Sequence, residues 1–234
     1  MNFEPYNIVL SLMNDTKTTL TKQPYVEIPS SLLGKEDNLL FQKTPSSKQE
    51  SAPVYQTIEE RQAVRHWGEL SVQKEDVLTI LQSAYQGDAT DWESEHLAGL
   101  DIGFVVYVRN MEKVTPAIYR YCPIRHDLVM IGELDLNKME HLVLQREFAL
   151  APVILVITGK LGASICRHGS PGHRQLLVRG GMAAQRAWLS SIGLGYGGCI
   201  FAGIVQKYLY ETAGIDGYKE MQLVAYSFGN LLEM

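Results

Sequence analysis

The sequence predicts an α+β fold with long helices flanking a mainly antiparallel central sheet, and three observations carry that expectation. Asp101–Arg109 and Ala151–Thr158 are short runs dense in β-branched and aromatic residues, the composition of strands buried on both faces. Ala117–Cys122 and Asp127–Ile131 are two further β-rich runs separated only by Pro123–His126, which is a hairpin signal. Residues 173–192 form the longest helical pattern of the chain.

The remaining elements follow in order. Thr57 with Glu60 three residues later reads as a capping box, and the helix it opens is expected to run to about Trp67. Ser71–Asp76 opens a second helix whose Val77, Leu78, Ile80, Leu81 and Ala84 fall on one broad apolar face. Asn137–Phe148 is helical in pattern, as is the region near 203–213, and Met221–Tyr226 is strand-like. Gly180 and Gly181 interrupt the long helix at a cost of about 1–2 kcal/mol, so something is expected to approach closely there, another element of the chain or a cofactor. Between that helix and Phe201 the chain is dense in glycine, which reads either as a tight connection or as backbone laid bare for a flat or anionic ligand.

Residues 1–56 form an arm with little core of its own. Tyr25–Ile28 reads as a short strand ended by Pro29, the 14–19 segment as polar and turn-rich, and 44–53 as a mobile linker, leaving 57–234 as the packed domain.

Bulk composition narrows the class of function. The 234 residues are 46% hydrophobic and 20% charged, ordinary for a packed soluble protein. A net charge of -5 without any Lys/Arg-rich run argues against nucleic acid as a partner. The apolar stretches, such as Ala149–Thr158, are too short to span a bilayer, and the first residues lack the basic start of a secretory signal. Cys122, Cys166 and Cys199 are widely spaced, form no C-x-x-C pair and have no histidines at zinc-ligand spacing. Reduced thiols in a cytoplasmic protein without a metal are expected.

Several segments together resemble a known family. Val106–Asn110, then Ala117–Pro123, then His126–Leu128 is similar to the "strand, G-L-Y-x-Y-x-P, H-x-L" passage of the nitroreductase-like FMN flavoproteins, and most similar to their SagB-type azoline dehydrogenase branch. Arg174–Gln185 resembles that branch's Y-R-x-x-L-L-E-x-G-H-x-x-Q helix, and Gly193–Phe201 resembles the glycine turn that follows it. Arg61, Arg65 and Trp67 resemble in spacing, shifted by one residue, the family opener R-x-S-x-R-x-F. The resemblance covers residues 57–230 and implies a nitroreductase-like fold, an intertwined homodimer, and FMN bound where the two subunits meet.

By position, the resemblance assigns Arg61 and Arg65 to the FMN phosphate, which suits guanidinium forks, Gln185 to the isoalloxazine edge, and Gly195, Gly197 and Gly198 to close backbone approach. The chain also departs from the pattern. Asp91–Leu100 lacks the P-S-G-G loop, Arg179 and Met182 replace the Glu and His of the long helix, and Arg167-His168 stands where the branch carries a Lys-Tyr pair. An arginine stays protonated near neutral pH whereas a histidine can take a proton, so His168 is the candidate base. The implied activity is FMN-dependent oxidation of a thiazoline or oxazoline to the aromatic azole on a peptide or carrier-bound substrate, within a biosynthetic complex. An NAD(P)H-dependent nitro or quinone reductase and a non-catalytic scaffold subunit are the alternatives.

Overall fold

A computed structural model describes Ile28, Pro29, Ser31 and residues 54–232. The expected segments 14–19 and 44–53, and the strand at 25–28 apart from Ile28, lie outside the described residues. Ile28 is 9% exposed and packs with Leu100 and Ala163, so this point of the arm is held against the domain.

The described elements are α1 (Val54–Glu60), α2 (Lys74–Asp91), α3 (Glu93–Leu97), β1 (Ile102–Val108), β2 (Ala117–Cys122), β3 (Asp127–Glu133), β4 (Val153–Gly159), α4 (Leu161–His168), α5 (Pro171–Gly193), β5 (Tyr196–Phe201), α6 (Gln206–Ala213) and β6 (Met221–Asn230). The strands form one six-stranded sheet in the order β3-β2-β1-β4-β6-β5, and every neighbouring pair is antiparallel. This is the expected α+β architecture. β1 and β4 are central and apolar on both faces because both faces are covered.

Alternation along the central strands sends side chains to two cores. Phe104, Val106, Val108, Val153, Leu155 and Ile157 meet α2 and α5 through Ile80, Leu81, Ala84, Ala183, Ala184 and Ala187. Val105, Tyr107, Ile154 and Val156 meet the opposite layer, where Phe148, Phe201 and Leu209 pack. The small alanines of α5 let that helix lie close to the sheet. At Gly180 a Cβ would stand 2.6 Å from the Leu223 Cβ of β6, so the close neighbour expected at the glycine pair is a strand of the same chain. At Gly181 a Cβ would meet nothing within 4 Å.

Two helical expectations are corrected. The first helix begins at Val54 and stops at Glu60, so Thr57 is a buried mid-helix residue and not a cap, and residues 61–67 are not helical. Their backbone groups bond the sheet instead, through Val64 N–H to Gly198 O at 2.9 Å and Gly68 N–H to Asn230 O at 2.9 Å. The 137–148 pattern forms two 3-10 turns, Leu136–His141 and Arg146–Leu150. Between them Val143 pairs with Ile204 and Leu144 N–H bonds Gly203 O, which takes the backbone groups a continuous helix would have used.

Polar links tie α2 and α3 to the rest. Arg179 on α5 is 1% exposed and donates to both carboxylate oxygens of Asp88 on α2, at 3.0 and 2.6 Å. Burial pushes the Asp88 carboxyl up, and the guanidinium pulls it back. Thus the arginine standing in place of the family's glutamate is half of a buried ion pair. On α3, His96 pairs through Nδ1 with Asp101, which also accepts from the Tyr85 hydroxyl at 3.3 Å. The hydrogen bond that His96 gives to Asp101 raises the His96 pKa, against a smaller opposing effect of burial.

Two outcomes follow from these links. Arg179→Leu strands a buried carboxylate and lowers stability by about 3–5 kcal/mol in urea unfolding, whereas Asp88→Asn combined with Arg179→Met recovers most of the loss. Because the folded-state pKa of His96 is raised, its stabilising contribution is complete below the ordinary histidine value of about 6.5 and is lost as pH rises through the folded value. Urea midpoints measured from about pH 6 to about pH 9 fall across that window, and His96→Asn flattens this part of the profile.

Candidate functional site

The site is built around a strap, residues 61–71, laid across the ends of β5 and β6. Ala63 forms a parallel bridge with Gly198, and Val64 N–H donates to the Gly198 carbonyl. Trp67 Nε1 donates to the Gly197 carbonyl at 2.9 Å. Asn230 at the end of β6 donates through Nδ2 to Leu70 O at 3.0 Å and Ser71 O at 3.1 Å. These bonds satisfy a segment that would otherwise be a solvated loop, and they fix where its two arginines start.

Arg61 leaves the strap and places its guanidinium 4.4 Å from the centroid of the Trp188 indole on α5. That spacing is a cation–π contact. Trp188 is 6% exposed, and its Nε1 donor is buried without a protein acceptor. Gln185 lies one turn earlier on α5, at the i−3 position of the same helix surface. Arg65 is exposed, farther along the strap. On a helix the two arginines would be adjacent; on extended chain their Cα atoms are about 13 Å apart. The shared-face spacing expected from a helix is therefore corrected.

The three predicted glycines divide. Gly195 adopts φ +88°, and a Cβ there would meet nothing within 4 Å, so this backbone is open to a ligand. Gly197 and Gly198 are buried in β5, where side chains would collide with Val64 and Leu231 and with the Tyr226 hydroxyl and Ser227 carbonyl, respectively. Their bareness is used by the chain's own packing. They form the surface on which the strap sits.

Of the predicted residues, Arg61 meets α5 at Trp188, one turn from Gln185, Gly197 and Gly198 carry the strap, Gly195 lies between α5 and β5, and Arg65 follows on the strap with its side chain exposed. His168 is elsewhere. It ends α4, immediately before the start of α5, and the helical rise puts Pro171 about 25 Å from Trp188. Within one chain the candidate base does not reach the arginine–glycine cluster. His168 Nε2 is instead bonded to Glu95 Oε2 at 2.7 Å, a residue the sequence reading did not single out. Nothing local marks Glu95, since a glutamate in a short acidic helix reads as surface until α4 is packed against it.

Between these two ends, the outward face of α5 carries an open depression lined by Val178, Gly181, Met182, Gln185 and Arg186. Leu177 and Val178 are 44% and 54% exposed. Gln185 joins this depression to the arginine end. Arg186 crosses α2 over Gly87 to pair with Asp91, and its Nη1 is buried without an acceptor. Donors for an anionic, flat ligand are thus present in two arginines and the Trp188 and Arg186 orphan donors, whereas the Gly195 N–H is already given to Ile192 O at 2.9 Å and this residue offers open space alone. Cys122, Cys166 and Cys199 are not joined by disulfides, and no cluster of three or more His, Cys, Asp or Glu able to hold a metal occurs among the described residues. No described helix is long and apolar enough to cross a membrane.

Comparison with known proteins gives a family. A nitroreductase-type protein of Methanocaldococcus jannaschii, MJ1384, is 25% identical over 163 residues, covering 68% of this chain and 82% of its own length. A solved nitroreductase-type protein of Anabaena variabilis superposes with a TM-score of 0.65 at 20% identity over 76% of this chain, which spans 38% of that longer protein. The Escherichia coli microcin synthetase McbBCD complex with truncated pro-MccB17 bound contains a chain that superposes with a TM-score of 0.60 at 15% identity, covering 99% of this chain and 95% of that one. At these identities the structural likenesses show the fold. The sequence model of the Nitroreductase family matches residues 58–230, most of the chain and nearly all of its described part, and this protein therefore belongs to the Nitroreductase family.

Proposed function

We propose that this oxidoreductase binds FMN and dehydrogenates a thiazoline or oxazoline ring of a peptide natural product, acting as a homodimer. The observation that carries the FMN reading is the strap: its bonds to β5 and β6 seat Arg61 on the Trp188 indole, one turn from Gln185 on α5, and Arg65 follows on the same strap with its side chain exposed. In this reading Arg65 holds the phosphate, and Arg61 supports it from its seat on the indole. Gln185 and Gly195 meet the ring system. Gly197 and Gly198 contribute by seating the strap. The substrate class is supported by the resemblance to azoline dehydrogenases and by the shared fold with a chain of the microcin synthetase complex.

The homodimer brings His168 into the site. α5 presents exposed Leu177 and Val178 and the bare Gly181, a surface suited to a second copy of the same helix. If the two copies cross antiparallel at Gly181 and Met182, helical residues equidistant from that point face each other, and the α4 end of one chain, with His168, lies toward the strap end of the other. An open depression at the crossing and the 25 Å gap within one chain are both accounted for by the same arrangement.

Aromatisation removes two hydrogens from the azoline, one as a proton and one as a hydride. His168 takes the proton from the ring carbon next to nitrogen. FMN held by Arg61, Arg65 and Gln185 would supply the two-electron acceptor for the hydride of the neighbouring ring carbon, with dioxygen as the final oxidant. The arginine strap holds the cofactor end fixed, and the dimer contact excludes water from the face where the proton moves. The relative MJ1384 favours a second reading, an NAD(P)H-dependent nitro or quinone reductase.

Purified protein is expected to carry a yellow flavin chromophore that bleaches anaerobically with an azoline peptide. Bleaching by NADPH alone selects the reductase, and a colourless protein that takes up no added FMN overturns both in favour of a scaffold role. Arg65→Ala lowers flavin occupancy while leaving the circular dichroism unchanged; wild-type occupancy removes the phosphate assignment. Gly181→Arg adds bulk where this chain leaves open space, so it keeps the fold but gives monomers in light scattering and loses flavin. A Gly181→Arg variant that remains a flavin-loaded dimer excludes the α5 crossing.

A further inference from the structure

We infer that Glu95 is the positioning residue for His168, holding Nε2 as the protonated nitrogen so that Nδ1 is the atom that accepts the substrate proton. The inference rests on the reading of His168 as the base. Its geometry comes from two elements, α3 and α4. Glu95 belongs to α3 and is 3% exposed, and its Oε2 lies 2.7 Å from His168 Nε2 at the end of α4. Arg167 places its Nε 3.3 Å from the same oxygen. Ser94 Oγ donates to the other oxygen, Oε1, at 3.2 Å.

A carboxylate can only accept, so the hydrogen of the short contact belongs to Nε2. A neutral imidazole carries one N–H, and the remaining lone pair is then on Nδ1. The Arg167 guanidinium beside the shared oxygen gives the buried carboxylate an ion-pair partner as well. The carboxylate in turn is held by Ser94, so the acceptor does not swing. His168 remains partly open, with 28% of its side chain exposed, whereas the Glu95 side chain is 4% exposed. The buried partner thus orients and the exposed partner is available for chemistry. Gly169, at φ +66°, turns the chain sharply after His168 and starts it toward α5, so the ring is fixed by the backbone as well as by Glu95.

Two measurements test this, one independent of turnover. In protein with 15N-labelled histidine, the ring signals of His168, assigned by their loss in His168→Phe, are expected to show an Nε2–H proton protected from exchange with water and an unprotonated Nδ1. An Nδ1–H tautomer, or an Nε2–H exchanging as fast as in free imidazole, overturns the inference without any variant of Glu95. In azoline oxidation, Glu95→Gln is expected to lower kcat by about tenfold with KM and flavin content unchanged, and to have less than about a twofold effect in the His168→Phe background. Equal losses in both backgrounds mean that Glu95 only supports the fold, which also overturns it. If the wild-type protein oxidises no azoline, the functional reading fails, while the ring-nitrogen measurement still decides whether Glu95 sets the histidine.

Discussion

The strap from Arg61 to Ser71 is the constraint on which the candidate site depends, and it exists because β5 lacks a side chain at Gly197. A Cβ there would meet Val64 of the strap and Leu231 beyond β6. With that space empty, the strap backbone closes on the sheet through Val64, Trp67 and Gly68. An isolated extended segment has no partner for its N–H and C=O groups. Here the Val64 and Gly68 N–H groups and the Leu70 and Ser71 carbonyls find partners on β5 and β6, so the segment that carries the two arginines is tied to the sheet. Gly198 serves the layer beneath. It leaves room for the Tyr226 hydroxyl, which bonds Ser191 on α5. The glycine pair thus joins strap, sheet and long helix at one point.

α5 plays two roles because its two sides differ. Ala183, Ala184 and Ala187 face the sheet, and Gly180 admits Leu223, so the inner side packs tightly. The buried Arg179–Asp88 pair fixes its register against α2. The outer side keeps Leu177, Val178 and the bare Gly181 open. A helix with one side committed to its own core and the other apolar but uncovered supports association with a copy of itself, and its length separates the chain's two chemical ends.

Those ends are organised by different physics. At the strap end, charge is presented on an extended backbone and backed by an indole. At the α4 end, a buried carboxylate is shared between Arg167 and His168. A charge so deeply buried is tolerated only with compensating donors, and both come from neighbouring positions of one helix end. The Arg167-His168 pair, which departs from the family pattern, therefore acts as a unit through Glu95.

Hydrophobic patterning determined much of the architecture from the sequence alone. The β1, β2, β3 and β4 strands, α2, and the long α5 were legible because burial on a sheet or helix imposes periods that side chains must obey. The family segments were legible as ordered motifs. Boundaries governed by distant partners were not. Thr57 and Glu60 have the spacing of a cap, yet the helix begins earlier and ends where the strap starts bonding β5. The 137–148 helix breaks where residues 142–144 find 203–205. Arginines four apart suggested one helix face and instead lie along an extended strap, and glycines that suggested a ligand turned out in two of three cases to admit the chain's own side chains. Glu95 could not be found from sequence, because its partner lies 73 residues away. Local periodicity is written in neighbouring residues, whereas the destination of a hydrogen bond or the use of an empty Cβ position is set only when remote segments meet.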